Sequence, residues 1–150
     1  MKFRFVWIGK TKENNWRALQ EEYLQRLSHF VRFEIAEIRE SQAYDTLQTE
    51  SKRILENVNH SSFVCLLDVQ GKQIGSPELA QTVEMWQNRG FKEIAFVIGG
   101  QNGVSKEVAE RADYSLSLSA LTLTHEMARV VLIEQLYRAF TIIKGFPYQK

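Results

Sequence analysis

Two segments without Asp, Glu, Lys or Arg carry residue types from which a ligand site can be built. The first, residues 98–103, contains Gly99, Gly100 and Gly103 directly after an apolar run. Glycines there let backbone amides approach a ligand, and a following helix N-terminus favours anionic groups. The spacing differs from the dinucleotide-binding fingerprint, and the loop follows a late strand rather than the first. Ligand binding and a plain tight turn therefore both stay open for this loop.

The second segment, residues 116–125, alternates small hydroxyl side chains with leucine and leads directly into an apolar helix pattern. Such a segment can offer backbone amides and carbonyls to a flat apolar ligand without competing side-chain charges. A buried strand followed by a serine-rich turn would show the same pattern. The residue types alone leave both interpretations open.

The other reactive residue types argue against several kinds of chemistry. His29, His60 and His125 show no metal-ligand spacing, and the single Cys65 lies in an apolar run typical of a buried thiol. No serine or cysteine stands in a nucleophile elbow, and no carboxylate pair suited to glycoside hydrolysis is identifiable. We therefore expect no metal site and none of the common hydrolase activities.

The elements that must position these segments alternate between strand and helix patterns along the chain. Strands are predicted over residues 3–8, 31–35, 63–67, 94–98 and 114–118, and helices over residues 14–28, 45–55, 76–89, from 105 onward, and 124–145. Strands separated by helices need crossover connections, which predicts an α/β fold: one domain over residues 1–150, with a mostly parallel sheet and helices on both faces. Because ligands bind beyond the carboxyl ends of such strands, the expected site lies in the loops after Leu67, Ile98 and Leu118.

Local signals predict where several helices begin. Asp45, with Gln48 three residues later, resembles a capping box, and Ser76 resembles a capping hydroxyl placed before Pro77. Ser105 is expected to cap the short helix that follows it. The first helix is expected to present one apolar face formed by Trp16, Leu19, Tyr23, Leu24 and Leu27.

The charge of the chain is nearly balanced, with 19 Lys and Arg against 18 Asp and Glu. This balance argues against an indiscriminate polyanion binder, because such affinity needs clustered positive charge. A local basic patch at the C-terminal end stays open, formed by Arg129, Arg138, Lys144 and Lys150. No secretory signal and no apolar stretch of ~20 residues is evident, so we expect a cytoplasmic protein without a membrane segment.

The last predicted helix is apolar nearly all round between residues 127 and 143. A helix of this kind is buried on all sides, and one sheet in a small domain covers only part of it. The pattern therefore predicts a homodimer. A central core helix in a monomer is the alternative.

Several motifs, in order and spacing, resemble the RlmH family, the smallest of the knotted SPOUT methyltransferases. The resemblance covers essentially the whole chain and rests on Leu67-Asp68 with Gly71-Lys72, residues 98–100 with Gly103 and Ser105, residues 116–119, Thr122-Leu123 with His125, Arg129, residues 134–139, and Pro147-Tyr148. Two positions depart from the family pattern. Gln149 stands where members commonly carry histidine, and Gln101 stands where proline or alanine is usual.

The resemblance implies an enzyme that uses S-adenosylmethionine to methylate N3 of a pseudouridine in 23S rRNA of the assembled ribosome. It also implies a homodimer whose C-terminal segment is threaded into a trefoil knot. The family's cofactor contacts carry over to Leu67, Gly99, Leu118, Ser119, Ala120, Leu121, Thr122 and Leu123.

Methyl transfer to an imide nitrogen requires positioning of the reactants and loss of the imide proton. Arg129 is the candidate cation that stabilises the resulting anion, and His125 and Tyr148 are candidates for orientation or proton handling. The alternative for Arg129 is a salt bridge with a carboxylate at the dimer interface. The alternative for His125 is a helix-start residue bonded to backbone.

Two other function classes stay open at this point. A nucleotide-binding oxidoreductase would need a fingerprint near the first strand, where only Gly9 stands. A ribosome-associated or nucleotide-binding module without methyltransferase activity would have a similar sequence. In the methyltransferase interpretation, the basic C-terminal end is the part expected to meet the ribosome, with Tyr148 available to stack on a base.

Overall fold

A computed structural model describes residues 1–42, 44 and 46–148. The strands are β1 (Lys2–Ile8), β2 (Arg32–Ile38), β3 (Phe63–Gln73), β4 (Glu93–Ile98) and β5 (Tyr114–Ser117). The helices are α1 (Asn14–Leu27), α2 (Thr46–Glu56), α3 (Ser76–Asn88), α4 (Lys106–Arg111) and α5 (His125–Lys144). The predicted capping role of Asp45 lies outside the described residues.

The sheet has the strand order β2-β1-β4-β3-β5, and every strand pair within the described residues is parallel. This confirms the predicted α/β fold with a mostly parallel sheet. The register pairs Ile98 with both Trp7 and Leu67, and Leu67 with Leu116. The carboxyl ends of β1, β4 and β5 therefore lie level with Leu67 in the middle of β3, and the segments that follow these points can share a site. The trefoil knot stays a prediction.

Alternation along the strands sends side chains to two faces of the sheet. Phe3, Phe5 and Trp7 belong to the core that α1, α3 and α5 cover. Val6 belongs to the second core, beneath α2 and α4, where Ile54 packs. Helices thus cover both faces, as predicted from the sequence.

Helix α5 packs between α1 and α3 on one face of the sheet. Its central side chains are buried inside the chain, among them Leu132, Ile133, Leu136 and Phe140. The apolar pattern that predicted a homodimer is thus largely satisfied within one chain, and this observation no longer carries that prediction by itself. Within the described residues, no helix is both long and apolar enough to cross a membrane.

Two predicted helix starts had different outcomes. Ser105 caps α4 as predicted, because its hydroxyl accepts a hydrogen bond from Val108 N at 3.4 Å. The prediction for Ser76 was wrong: Gly75 is the N-cap of α3, and the Ser76 hydroxyl donates to Gln135 Oε1 at 2.6 Å instead. The hydroxyl thus joins α3 to α5 rather than closing its own helix.

Two further details differ from the sequence prediction. Leu19 was expected on the apolar face of α1 but is 38% exposed, because α1 turns Gln20, Leu24 and Leu27 inward. Strand β3 continues to Gln73, past its predicted end, after an irregularity in its pairing with β5.

Candidate functional site

A cavity of about 470 Å³ opens beside the middle of β3 and the carboxyl ends of β4 and β5. We call it the loop cavity. Its walls are residues 66–69 of β3, Ile98 at the end of β4 with residues 99–104 and Ala109 after it, Leu118, Ser119 and residues 121–123 after β5, and His125 and Ala128 of α5. The segments after Leu67, Ile98 and Leu118, which the sequence predicted as loops, therefore converge on one space. The segment after Leu67 differs from the prediction, because it continues β3 and forms no loop.

Most of the residues expected to contact a cofactor lie together in this cavity. Its walls include Leu67, Gly99, Leu118, Ser119, Leu121, Thr122 and Leu123. Ala120 belongs to the same loop but is exposed and does not line the cavity. The backbone thus gathers seven of the eight candidates around one space.

The glycine loop after β4 closes on itself. Gly103 N donates to Gly100 O at 3.0 Å, and Gly103 has a φ of 78°, which favours glycine. A β-carbon at Gly99 would lie 2.8 Å from Gly103 O and 2.7 Å from a side-chain carbon of Val104. Gly99 is therefore required by the packing of the loop itself, which shapes one wall of the cavity.

The hydroxyl groups after β5 bond mainly to backbone. Ser117 Oγ donates to Ser119 O at 3.0 Å, and Ser119 Oγ accepts from Leu121 N at 2.9 Å. Thr124 Oγ1 accepts from Met127 N at 3.3 Å and so caps α5. Because the hydroxyls are used in this way, leucine side chains make much of this wall, and Leu121 is 75% exposed.

Arg129 is buried, with only 2% of its surface exposed. Its Nη1 donates to Thr11 Oγ1 at 3.0 Å, its Nη2 donates to Ile8 O, and its Cζ lies 4.8 Å from the centroid of the Trp7 ring. Within the described residues it forms no ion pair with a carboxylate. Burial inside its own chain also leaves little surface for a salt bridge across an interface.

Burial lowers the pKa of the Arg129 guanidinium, because a low-dielectric environment disfavours the charged form. The nearby carboxylates of Glu126, Glu37 and Glu40 act in the opposite direction without overcoming this effect. Arginine stays protonated at physiological pH even so, because its ordinary pKa is above ~12. A positive charge is therefore held in the interior beside the start of α5.

The other two candidate residues lie at opposite ends of α5. His125, the first residue of the helix, is exposed, lines the loop cavity and has no side-chain hydrogen bond to another described residue. Tyr148 follows the far end of a 20-residue helix, which spans roughly 30 Å. The structure thus brings Arg129 and His125 together, while Tyr148 of the same chain lies away from the cavity.

Tyr148 is engaged at its own end of the helix. Its hydroxyl donates to Glu134 Oε1 at 2.9 Å, and its ring meets that of Tyr137 edge-on at 4.8 Å between centroids. Burial and the bond to Glu134 raise the pKa of the Tyr148 phenol above its ordinary value. The phenol is therefore neutral at physiological pH and is a poor proton acceptor there.

Comparison with known proteins places this geometry in a family. A family model described as a predicted SPOUT methyltransferase matches residues 1–149. The chain belongs to the SPOUT methyltransferase family. Within this family it is similar to a protein of Christiangramia forsetii named ribosomal RNA large subunit methyltransferase H, with 43% identity over 99% of this chain and 98% of the relative.

Two further SPOUT relatives carry the same name. The chain is 40% identical to the protein of Oenococcus oeni, over 100% of this chain and 99% of the relative. It is also 40% identical to the protein of Halothermothrix orenii, over the full length of both. These matches confirm the family resemblance and the assignment of the chain as a methyltransferase.

Sequence reasoning missed one acidic wall residue of this SPOUT methyltransferase. Asp68 lines the loop cavity and, among the described lining residues, has the only carboxylate. Its Oδ1 accepts from Gln70 N at 2.9 Å, which fixes the turn after Leu67. The Leu67-Asp68 pair, directly after the buried residues 64–66, is the signal for this residue, although the family resemblance implies a contact for Leu67 alone.

The predicted basic patch of this methyltransferase is smaller than its sequence indicated. Arg129 is buried, and Arg138 is paired with Glu134, so Lys144 is the exposed cation left among the described members of that set. Gln149 and Lys150 lie outside the described residues. Within the described part of the chain, no cluster of three or more His, Cys, Asp and Glu side chains could hold a metal ion.

Proposed function

We propose that this chain uses S-adenosylmethionine to methylate N3 of a pseudouridine in 23S rRNA within the assembled ribosome. The motif resemblance to the RlmH family and the shared name of the relatives support this proposal. The observation that carries it is the loop cavity beside the middle of β3 and the carboxyl ends of β4 and β5, with its wall of glycine backbone and leucine side chains.

The residues that line the loop cavity fit this cofactor. The volume of about 470 Å³ falls within the ~300 to 1,000 Å³ of small-molecule sites. Leu118, Leu121 and Leu123 offer apolar surface to a flat adenine ring, while Asp68 offers a carboxylate to a cofactor that carries positive charge. When bound, S-adenosylmethionine supplies a methyl group on a positively charged sulfur atom.

Arg129 has the properties needed to ease ionisation of the imide. Its charge is buried and has no ion pair within the described residues, so it acts through a medium that screens poorly. A neighbouring positive charge lowers the pKa of a group that ionises to an anion. Arg129 therefore stabilises the N3 anion, and His125, exposed one turn earlier on α5, accepts the proton directly or through water.

Tyr148 takes part only if a second copy of the chain is present, because it lies at the far end of α5 from the loop cavity of its own chain. We therefore retain the homodimer in the proposal, now on this geometric ground. In it, Tyr148 contacts the ribosomal substrate and does not exchange a proton, since its phenol is neutral. The C-terminal knot and a cytoplasmic location belong to the same proposal.

Recognition of the assembled ribosome follows from the modest charge of the chain. A net charge of +1 gives little sequence-independent attraction to phosphate, and Arg138 is already paired with Glu134. Specificity then depends on a folded surface that the ribosome presents.

The test uses S-adenosylmethionine labelled in its methyl group, with intact ribosomes, isolated large subunits or protein-free rRNA as acceptors. We expect efficient labelling of the RNA in intact ribosomes and little labelling of protein-free rRNA. Efficient labelling of protein-free rRNA would overturn the ribosome requirement. Cofactor binding without transfer to any acceptor would instead favour a ribosome-associated module without activity.

A further inference from the structure

A second cavity, of about 480 Å³, lies between the loop that follows β1 and the start of α5. We call it the β1 cavity. Its walls carry three cations, Lys10, Lys12 and Arg129, and three carboxylates, Glu13, Glu40 and Glu126. His125 lines both this cavity and the loop cavity. Ligands in the β1 cavity and in the loop cavity would therefore both lie against His125.

The guanidinium on the wall of the β1 cavity is held by a chain of buried hydrogen bonds. Arg129 Nη1 donates to Thr11 Oγ1 at 3.0 Å, and Thr11 Oγ1 in turn donates to Gln20 Oε1 at 2.6 Å. All three residues are buried, with exposed fractions of 2%, 3% and 7% respectively. The direction of the cation is therefore fixed by α1 and the β1–α1 loop as well as by its own helix.

Arg129 still lacks a partner of opposite charge. Its Nε is buried and has no hydrogen-bond partner within the described residues. Glu40 on the same wall pairs with Lys12 Nζ at 3.5 Å, and Glu126 Oε1 accepts hydrogen bonds from the backbone N–H groups of Lys12 and Glu13. A buried charge without a partner of opposite charge is destabilising. The presence of this guanidinium therefore points to an anionic ligand that pairs with it.

We propose that the β1 cavity binds a negatively charged group of the methyl-accepting nucleotide, with Arg129 as its ligand and Thr11 and Gln20 as the residues that position Arg129. This inference rests on the proposed function, because it places the acceptor beside the cofactor. The shared chemistry is an anion that a guanidinium binds, and two parts of the nucleotide supply one: the phosphate and the ionised imide.

The experiment titrates the full-length protein, with and without S-adenosylhomocysteine, using inorganic phosphate or the nucleoside pseudouridine. The nucleoside is used at neutral pH and at a pH above the pKa of its imide. Binding of phosphate identifies the phosphate as the source, and nucleoside binding that strengthens with ionisation identifies the imide. We expect Arg129→Met to lower the affinity for the probe that binds by roughly tenfold or more.

Thr11 variants test the positioning role and guard against misfolding of Arg129→Met. Thr11→Val removes the hydroxyl that accepts the hydrogen bond from Arg129 and should lower the affinity for the probe. Thr11→Ser keeps the hydroxyl and should bind the probe like the unaltered chain. Lys52→Met, exposed on α2 and outside the β1 cavity, is the matched control and should bind like the unaltered chain.

Affinity for S-adenosylhomocysteine is measured in parallel and should be unchanged in all of these variants. Failure of the unaltered chain to bind S-adenosylhomocysteine would contradict the proposed function. The titrations of phosphate and pseudouridine in the absence of S-adenosylhomocysteine would still test whether the β1 cavity binds an anion. The inference is overturned when neither probe binds, or when Arg129→Met and Thr11→Val bind the probe as tightly as the unaltered chain.

Discussion

Arg129 and Thr11, 118 positions apart in the chain, are joined by a hydrogen bond of 3.0 Å between Nη1 and Oγ1. The bond ties the second turn of α5 to the loop that follows β1. His125, one turn earlier on α5, lines the loop cavity. The start of one helix therefore presents a buried cation to one cavity and an exposed imidazole to both.

Replacement of Gly99 should abolish or strongly weaken cofactor binding. In Gly99→Ala, the new β-carbon would lie 2.8 Å from Gly103 O, a backbone atom that moves only with the loop. Crowding of this kind costs on the order of 1 to 3 kcal/mol, so we expect about tenfold or more weaker binding of S-adenosylhomocysteine by calorimetry.

Gly75→Ala is the matched control for that substitution. A β-carbon at Gly75 would only touch Pro77 Cδ at 3.7 Å, and Gly75 lies outside the loop cavity. Its affinity for S-adenosylhomocysteine should match that of the unaltered chain, and NAD should bind neither protein. Equal affinity in Gly99→Ala and Gly75→Ala would show that the glycine loop does not shape the cofactor site.

The sequence predicted the positions of the strands well, because alternating and continuous apolar runs record burial directly. Strands near Phe3, Ile94 and Tyr114 were placed within a few residues of their observed positions. The hydrogen bond of Ser76 to Gln135 was out of reach, since it depends on how α3 lies against α5. The same holds for Arg129, whose burial and bond to Thr11 exist only once distant segments meet.

Glu93 should contribute measurably to stability through a partly buried network. Its carboxylate lies 3.1 Å from Lys2 Nζ and 3.2 Å from Arg4 Nε, and it accepts a hydrogen bond from Ser62. Glu93→Gln should lower the free energy of unfolding by about 1 to 3 kcal/mol at neutral pH. Glu34 pairs with the same two cations, but its side chain is 52% exposed. Glu34→Gln should therefore lower the free energy of unfolding by less than Glu93→Gln does.

The effect of Glu93→Gln should depend on pH. Burial by itself raises the pKa of Glu93, but hydrogen bonds from Ser62, Arg4 and Lys2 outweigh it and hold the pKa below its ordinary value. A lowered folded-state pKa gives stability that is complete above the unfolded value of ~4.3 and is lost as the pH falls through the folded value. Urea unfolding across this range should show the two proteins converging in acid. A constant difference would refute the role of the charge.

The chain should form a stable homodimer in solution. Tyr148 lies at the far end of α5 from the loop cavity, so its part in the reaction needs a second copy. Sedimentation at micromolar concentration should give twice the chain mass of 17.5 kDa. A single species at the chain mass would contradict both the dimer and the proposed part for Tyr148.

Substitutions of Tyr148 should separate substrate contact from proton transfer. Tyr148→Phe keeps the ring and removes the hydroxyl with its hydrogen bonds, among them the bond to Glu134. Because the raised pKa of Tyr148 keeps the phenol neutral, the pH profile of ribosome methylation should not change. Tyr148→Ala removes the ring and should lower turnover while leaving affinity for S-adenosylhomocysteine intact. A pH profile that shifts in Tyr148→Phe would assign the phenol a proton-transfer role and contradict this account.

The most direct test of the central claim identifies the nucleoside that carries the transferred methyl group. Ribosomes lacking the modification are incubated with S-adenosylmethionine and either the unaltered chain or Gly99→Ala. The 23S rRNA is then digested to nucleosides, which are separated and identified by mass spectrometry. The account predicts 3-methylpseudouridine with the unaltered chain and much less of it with Gly99→Ala. A methyl group on a different nucleoside, or none at all in the presence of bound cofactor, would contradict it.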